Sequence, residues 1–320
     1  MTPPASSQPA DTTSGATRQA RERRGMLLGL LGVTIFALTM PMTRLAVGDA
    51  SAPQLSPAFV TAGRAALAGL LSIAWLAWVR APWPGRHLWR PIAITALGTV
   101  VGFPLFLALA LRHVESMHAA VVTGVIPLAT AAIAALALRQ RASTGFWGCA
   151  VLGCALVLAF AVIEGGGRPV AADALLLAAV ISTGIGYVSG AKVSTELPGE
   201  QTVCWVLVVS LPLTVPAMLL AWPEAPVRAA SWAGLAYVTL FSMWLGFFAW
   251  YRGLAMGGVM RVSQVQLLQP FIALLAGVPI LGEQLDPTTV AFALAVIAVV
   301  FVGRRMPVGR PAAPAPAARA

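Results

Sequence analysis

Long apolar stretches separated by short polar turns run along most of this chain. A helix needs about 20 apolar residues to cross the hydrocarbon core of a bilayer. Membrane-spanning strands would be about ten residues long with alternating polarity, and the stretches do not alternate. The pattern predicts an all-α integral membrane protein with ten transmembrane helices, at residues 26–47, 58–79, 91–111, 115–138, 146–163, 171–191, 202–221, 231–252, 260–281 and 288–303.

The composition excludes a water-soluble domain. Hydrophobic residues make up 58% of the 320 residues and charged residues only 10%, whereas soluble domains carry about 25% charged residues. The lipid bilayer is therefore the first predicted partner. Residues 1–25 and 306–320 differ from the rest, because they are rich in Pro and Ala and lack long apolar runs. That composition predicts two disordered tails.

The basic residues indicate how the chain lies in the membrane. The formal net charge is +10, which on its own would be compatible with nucleic acid. Sixteen of the Lys and Arg residues, however, fall on the side of the two termini, and four fall on the other side. Since cytoplasmic loops carry the excess of Lys and Arg, both termini are predicted to be cytoplasmic, in an inner membrane. No nucleic acid partner is predicted.

The two halves of the chain match each other when the second half is aligned so that Pro270 falls on Pro127. The same alignment places Met260 on Met117, with five predicted helices in each half. Because five is odd, successive halves enter the membrane in opposite directions. The pattern predicts two inverted five-helix repeats at residues 26–163 and 164–305, an architecture of secondary transporters.

Several short motifs in this order carry a family resemblance. They are Ser56-Pro57 followed by Arg64, then Gln269-Pro270, then Leu281-Gly282-Glu283-Gln284. With ten predicted helices, the chain resembles the drug/metabolite transporter superfamily and, within it, the EamA-type permeases. The first half departs from the pattern, since Leu138-Arg139-Gln140-Arg141 stands where Leu-Gly-Glu is usual. The resemblance implies a helix bundle around a central substrate cavity, often used for export of small metabolites or drugs.

Predicted helix 9 carries a polar stripe. Ser263, Gln266 and Gln269 are spaced so that they share one side of the helix. Lipid would leave their polar groups without hydrogen bonds, at a cost of a few kcal/mol each. That side therefore faces protein or a wet cavity, and the three residues are predicted to bind substrate. Polar contact between helices is the alternative. Thr123 on predicted helix 4 is a further substrate-binding candidate at the related place.

Three residues inside predicted helices are candidates for gating. Pro127 and Pro270 each remove a backbone hydrogen bond, and their matched positions predict hinges. Arg64 lies inside helix 2, where a charge is costly. The resemblance favours a structural or gating role for it, paired with Asp49 or Glu115. Snorkelling to the outer face and binding of a substrate carboxylate are the alternatives.

Aromatic side chains supply candidate walls for the cavity. Trp244 and Phe248 share one face of predicted helix 8 and would suit an apolar or aromatic substrate. Packing in the protein core is the alternative for all of these residues. The other candidates for substrate contact are Phe36, Thr39, Phe103, Phe106 and Tyr187.

His118, early in predicted helix 4, is the candidate for proton coupling. An imidazole titrates with an unperturbed pKa of about 6.5. Proton pumps usually place a carboxylate or a histidine within the span, and the acidic residues nearest to membrane depth are Glu115 and Glu283. A packed or interfacial histidine and facilitated export are the alternatives.

Secondary transport is the predicted function. A P-loop is absent, so ATP-driven transport is not expected. The favoured activity is export of small-molecule substrates, such as amino acids or amphipathic compounds, by alternating access. A monomer or homodimer is predicted, with no cofactor, no metal site and no enzyme activity. The alternative is a non-transport membrane protein, either an intramembrane enzyme or a sensor.

Overall fold

The computed structural model describes residues 12–137, 141–164, 171–258, 262–306 and 308–309. These residues are helical apart from connecting turns and one pair of two-residue strands. Among the described residues, eight helical segments are long and apolar enough to cross a membrane, and two shorter apolar helices follow them. We label them α1 to α10 in chain order: Gln19–Val47, Pro57–Trp78, Arg86–Ala110, Ser116–Ala137, Thr144–Glu164, Ala171–Val193, Gly199–Leu220, Ala229–Gly257, Val265–Leu281 and Pro287–Gly303.

Several of these segments are divided into shorter helical pieces. Helix Thr12–Ala37 contains the first part of α1 and helix Thr39–Val47 forms the second part. Segment α4 is divided into Ser116–Thr123 and Ile126–Ala137. Segment α3 comprises 3-10 helix Arg86–Leu88, α-helix Trp89–Thr95, π-helix Ala96–Gly102 and α-helix Phe103–Ala110. Segment α8 comprises α-helix Ala229–Tyr237, π-helix Val238–Leu245 and α-helix Gly246–Gly257. The start of α9 belongs to 3-10 helix Ser263–Leu268, and the rest of it is α-helix Gln269–Leu281.

The structure confirms an all-helical membrane protein and corrects one boundary. Helix Thr12–Ala37 begins inside the segment 1–25, for which the composition predicts disorder. Adding residues to an existing helix is far easier than nucleating a new one, so the helix that contains the first part of α1 begins before α1 and runs through Arg18–Arg24. Residues 1–11 and 310–320 lie outside the described residues, as do Leu138–Gln140 and Met260 of the sequence motifs.

A short strand pair joins two distant connections. Strand β1, Arg141–Ala142, pairs antiparallel with β2, Val308–Gly309. Strand β1 follows α4 and β2 follows α10. The chain therefore leaves α4 and α10 at the same end of the bundle.

Glycines bring α1 and α8 into close antiparallel contact. Gly25 and Gly29 lie opposite Gly257 and Gly253, and a Cβ atom added to Gly253 would lie 2.7 Å from the backbone nitrogen of Gly29. Association of helices in lipid depends on close packing, which small residues four apart permit. These four glycines therefore join the first and second halves of the chain along the N-terminal part of α1.

Two apolar clusters pack between the helices. One includes Leu55, Phe59 and Leu111, and the other includes Leu88 and Val193. Buried polar side chains also lie between the helices, among them Thr39, Arg64, Thr123 and Ser242.

Glu283 connects the end of α9 to the start of α4. Its carboxylate accepts hydrogen bonds from the backbone N–H groups of Ser116 (2.7 Å) and Met117 (3.1 Å), and from the Ser116 hydroxyl (2.8 Å). The first N–H groups of a helix have no partner inside it, and a carboxylate there is also favoured by the helix dipole. Gly282 adopts φ 73°, a left-handed turn that glycine allows. Glu283 is thus an N-cap supplied by a remote part of the chain.

We expect Glu283→Ala to lower the free energy of unfolding by about 2–3 kcal/mol, because hydrogen bonds to charged groups contribute about 1.5–3 kcal/mol and the freed N–H groups stay buried. Thermal unfolding of the detergent-solubilised protein, followed by tryptophan fluorescence, measures the change. Glu224→Ala is the control, since Glu224 is exposed. Equal melting temperatures for the two variants would contradict a structural role of this cap.

Candidate functional site

A cavity lies in the middle of the bundle. Its volume is about 110 Å³, below the roughly 300–1,000 Å³ typical of pockets for drug-sized ligands. Residues from seven segments line it: α1, α2, α3, α4, α6, α8 and α9. The lining residues are Phe36, Thr39, Met40, Arg64, Thr99, Phe103, Ala120, Thr123, Gly124, Ile126, Pro127, Thr183, Tyr187, Ser242, Met243, Phe247, Gln266, Gln269, Pro270 and Ala273.

The interruptions in the helices lie at this cavity. The two pieces of α1 meet beside Thr39, and those of α4 meet beside Gly124. The π-helical parts of α3 and α8 contribute Thr99 and Ser242, and the 3-10 part of α9 contributes Gln266. Irregular backbone at membrane depth is tolerated where it is buried in protein or lines a water-filled cavity. The interruptions therefore bring several polar side chains to this cavity within the apolar bundle.

The two candidate hinge prolines occupy equivalent places. Pro127 and Pro270 are each the second residue of the α-helix that follows an interruption. Proline is well suited to the first turn of a helix, where its missing N–H costs nothing. The alignment of the halves that pairs these prolines also places π-helical residue Ala96 on Thr239, which is π-helical too. The interruptions therefore lie at positions that the alignment of the two halves pairs with each other.

Arg64 reaches the cavity from α2. The residue is 3% exposed, and its Nη2 donates to the Ser242 hydroxyl at 3.1 Å. The Ser242 hydroxyl also lies 2.8 Å from the hydroxyl of Thr39. The expectation that Arg64 pairs with Asp49 or Glu115 is wrong, and so is the snorkelling alternative. The π-helical turn of α8 brings Ser242 to the guanidinium, so Arg64 stays inside the bundle.

The structure brings together most of the predicted site residues. Those that line the cavity are Phe36, Thr39, Phe103, Arg64, Thr123, Pro127, Tyr187, Gln266, Gln269 and Pro270. Phe106, Trp244 and Phe248 are not among the lining residues. The Trp244 and Phe248 rings pack 4.8 Å apart, and Phe248 lies 5.0 Å from Trp75. The side chain of Ser263 lies outside the described part of the chain.

Three hydroxyl residues of the cavity were not predicted from the sequence: Thr99, Thr183 and Ser242. Single Ser and Thr residues are common in transmembrane helices, where they bond to a carbonyl one turn earlier, so each alone carries little signal. The internal match does relate two of them, because aligning Pro127 with Pro270 also places Thr99 on Ser242. A comparison of the halves restricted to polar residues would have found this pair.

His118 lies outside the cavity in a buried pair. Its Nε2 is 2.7 Å from Oδ1 of Asp173, and the two residues are 7% and 4% exposed. The imidazole ring also packs against Phe160, with centroids 4.9 Å apart. Asp173 was not a candidate, because it lies in the first turn of α6 and its partner is distant in sequence. The pair joins the starts of α4 and α6.

A separate charged vestibule opens at the end of the bundle where Glu283 lies. Its volume is about 350 Å³, and its charged residues are Arg44, Asp49, Glu115, Arg228 and Glu283. Burial and the neighbouring carboxylate of Glu283 raise the pKa of Glu115. A hydrogen bond from the Ser51 hydroxyl is the main cause that lowers the pKa of Asp49. The guanidinium of Arg44 donates to the backbone carbonyls of Leu111 and Val114.

The lining of the central cavity sets the chemistry that it can accept. Amides and hydroxyls offer both donors and acceptors, and the rings of Phe36, Phe103 and Phe247 offer apolar faces. Arg64 is the one charged side chain among the described residues that line it. The arrangement can hold a small solute that has a polar part and an apolar part.

Comparisons with known proteins agree with this architecture. A family model described as the EamA-like transporter family matches residues 23–162 and again residues 170–303. A protein of Bacillus subtilis (strain 168), called "Uncharacterized transporter YdeK", is 43% identical over 283 residues, covering 88% of this chain and 97% of that protein. A solved structure described only as "Crystal structure of protein" has a TM-score of 0.60 at 16% identity, covering 88% of this chain and 96% of that one.

The similarity to the solved structure concerns the fold alone, because the sequence identity is only 16%. The two family matches cover most of the chain, and the bacterial relative matches nearly the whole length. The resemblance to EamA-type permeases that the motifs carry is confirmed. The chain belongs to the EamA-like transporter family of the drug/metabolite transporter superfamily, and it is a membrane transporter.

Proposed function

We propose that this protein is a secondary transporter that exports small metabolites through the central cavity by alternating access. The observation that carries the proposal is the central cavity with its buried polar side chains, at which the interruptions of five helical segments meet. Substrate sites of secondary transporters lie near the bilayer midplane and are formed by discontinuous helices. Export is the direction that the resemblance to efflux permeases favours.

The proposal includes ten spans arranged as two inverted repeats, at residues 26–163 and 164–305. The matched prolines and the matched π-helical segments support this arrangement. The two shorter apolar helices, α9 and α10, are then spans as well. An even number of spans and the excess of basic residues on one side favour an inner-membrane carrier with both termini in the cytoplasm. It would act as a monomer or a homodimer.

Movement in this proposal is concentrated at the helix interruptions. A π-helical turn or a 3-10 turn has weaker backbone geometry than an α-helix, and π-bulges are frequent at functional sites. Pro127 and Pro270 fix the start of the helices that follow. These prolines are therefore proposed as hinges, with the cavity opening alternately to the two ends of the bundle.

The proposed substrate is small and has polar and apolar parts, as amino acids and other amphipathic metabolites do. Gln266 and Gln269 supply amides, Thr39, Thr123 and Tyr187 supply hydroxyls, and Phe36 supplies an apolar face. The volume of about 110 Å³ limits the solute to few heavy atoms unless the cavity widens. Trp244, Phe248, Phe106 and Ser263 remain candidates for contact in a wider conformation.

The His118–Asp173 pair is proposed to couple transport to protons. Ionisable groups buried at membrane depth are costly and often form proton relays. The pair joins α4, which lines the cavity, to α6, which also lines it, so a change of protonation would act directly on both. Glu115 lies near His118, and Glu115 in turn interacts with Glu283, Arg44 and Glu164.

We expect Gln266→Ala to lower substrate flux about fivefold to tenfold without lowering the amount of protein in the membrane, because one hydrogen bond to the substrate contributes about 1–1.4 kcal/mol. Flux into proteoliposomes containing equal amounts of protein measures this. Gln284→Ala is the matched control, since Gln284 is exposed. Equal flux for the two variants would contradict a role of α9 in the transport pathway.

We expect His118→Gln and Asp173→Asn to abolish accumulation of substrate driven by an imposed pH gradient, while exchange of labelled for unlabelled substrate continues. Loss of the proton site removes the coupling and leaves the carrier able to reorient. His87→Gln is the control, because His87 forms a similar pair with Glu196, at 3.0 Å, in an exposed position. Wild-type transport that ignores the gradient would instead identify a facilitator.

We expect reporter tags at the N-terminus and at the C-terminus both to report the cytoplasm. An even number of spans requires the two termini to lie on the same side of the membrane. A fluorescent protein that matures only in the cytoplasm, paired with a periplasmic phosphatase at the same positions, makes the measurement. A C-terminus outside the cell would overturn the ten-span arrangement and the inverted repeats together.

A further inference from the structure

The guanidinium of Arg64 is incompletely bonded. Only Nη2 has a partner, the Ser242 hydroxyl at 3.1 Å, whereas Nε and Nη1 have none among the described residues. A guanidinium has five N–H donors, and a buried charge without compensation is costly. Each such group in a native structure needs an explanation.

A structural arginine in the same bundle looks different. Arg44 donates to two backbone carbonyls, those of Leu111 and Val114, and so satisfies the end of α3. Arg64 satisfies no carbonyl at a helix end and no carboxylate among the described residues, and it lines the cavity instead. Its two unbonded nitrogens are themselves shielded from solvent, so the missing partner for them has to come from a ligand that reaches the guanidinium.

We infer that Arg64 is the receptor for a carboxylate of the transported substrate, which is a small monocarboxylate. This inference rests on the proposed transport function, and it narrows the proposed amphipathic substrates to those that carry a carboxylate and no ammonium group. Arginine and carboxylate form short, charge-assisted hydrogen bonds. In a cavity shielded from water such a pair is stronger than at a surface.

The charged residues that line the cavity indicate which net charge the substrate carries. Arg64 is the sole cationic residue among the described lining residues, and no acidic residue accompanies it. The alignment of the halves places Arg64 on Leu207, which is buried and apolar, so the second half supplies no matching cation. A dianion such as a phosphate would keep one charge uncompensated, and the ammonium group of an amino acid would find no carboxylate.

The rest of the lining fits the remainder of such a molecule. Phe36 and Phe247, with ring centroids 4.8 Å apart, offer an apolar wall, while Gln266 and Gln269 offer amides to a hydroxyl or keto group. Ser242 acts as a positioning residue, because its hydroxyl lies between Arg64 and Thr39. Monocarboxylates with a short apolar or hydroxylated chain match this combination.

The test compares ligands that differ only in charge, using the purified full-length protein. The probes are lactate and benzoate, their neutral counterparts lactamide and benzamide, then alanine and inorganic phosphate. Binding is measured by calorimetry, and flux of labelled lactate is measured in proteoliposomes. We expect the carboxylates to bind at least about 30-fold more tightly than the amides, the magnitude typical of truncating one partner of a buried charge pair.

Variants test the same pairing from the protein side. We expect Arg64→Gln to weaken binding of carboxylates at least about 30-fold, and to abolish the difference between lactate and lactamide. Arg64→Lys keeps the charge and is expected to retain part of the preference. Arg252→Gln is the matched control, because Arg252 is exposed and does not line the cavity. If Arg64→Gln fails to fold, the comparison of ligands on the wild-type protein still decides the matter.

The outcomes separate this inference from the proposed function. Amides or alanine that bind as tightly as the carboxylates, or an Arg64→Gln variant that binds them like the wild type, would overturn the role of Arg64. Failure of every monocarboxylate to bind would overturn it as well. Saturable flux of a neutral or zwitterionic solute in those cases would leave the transport proposal standing. Absence of flux for a broad panel of metabolites would refute the transport proposal itself.

Discussion

The structure depends on one constraint, namely that hydrogen bonds lost by the backbone inside a bilayer must be restored within the protein. Threonine hydroxyls add hydrogen bonds to the backbone beside the interruptions. The Thr123 hydroxyl donates to the carbonyl of Ala119 at 2.6 Å, just before the interruption of α4. In α8 the Thr239 hydroxyl donates to the carbonyl of Leu235 at 2.7 Å, at the start of the π-helical turn. Irregular backbone and buried hydroxyls therefore occur together, and both surround the cavity.

The same constraint explains what could be predicted from the sequence. The membrane-spanning segments could be predicted because each requires a long apolar run, and their predicted bounds lie close to those observed. The position of Gln266 and Gln269 at the cavity could be predicted because exposing amides to lipid is costly. Ser242 and Thr183 were not, since a hydroxyl can bond within its own helix and gives no sign of facing a cavity. The link between His118 and Asp173 was also hidden, because contact between α4 and α6 depends on tertiary packing.

The position of Arg64 was predicted less well than that of the glutamines. Its place near the start of α2 suggested that it reaches the membrane surface or an acidic partner there. The partner is instead Ser242, which a π-helical turn of α8 brings into position. Hydropathy does not reveal such a turn, so the burial of Arg64 could not be derived from the sequence. The two halves have diverged here, because one half supplies the cation and the other supplies the amides of α9.

The glycine contact between α1 and α8 has a mechanical consequence. A side chain at Gly253 would collide with the backbone of Gly29, and sliding the helices apart would open a gap that neither lipid nor water fills well. We therefore expect the two helices to move together as one rigid body along this stretch. Bending is left to the break after Ala37 and to the π-helical turn at Val238–Leu245, which lie at the same end of the glycine contact. The α1–α8 pair is thus rigid, and both of its flexible points lie beside the cavity. A small shift of these helices around the bound solute would therefore be transmitted to the far end of the bundle.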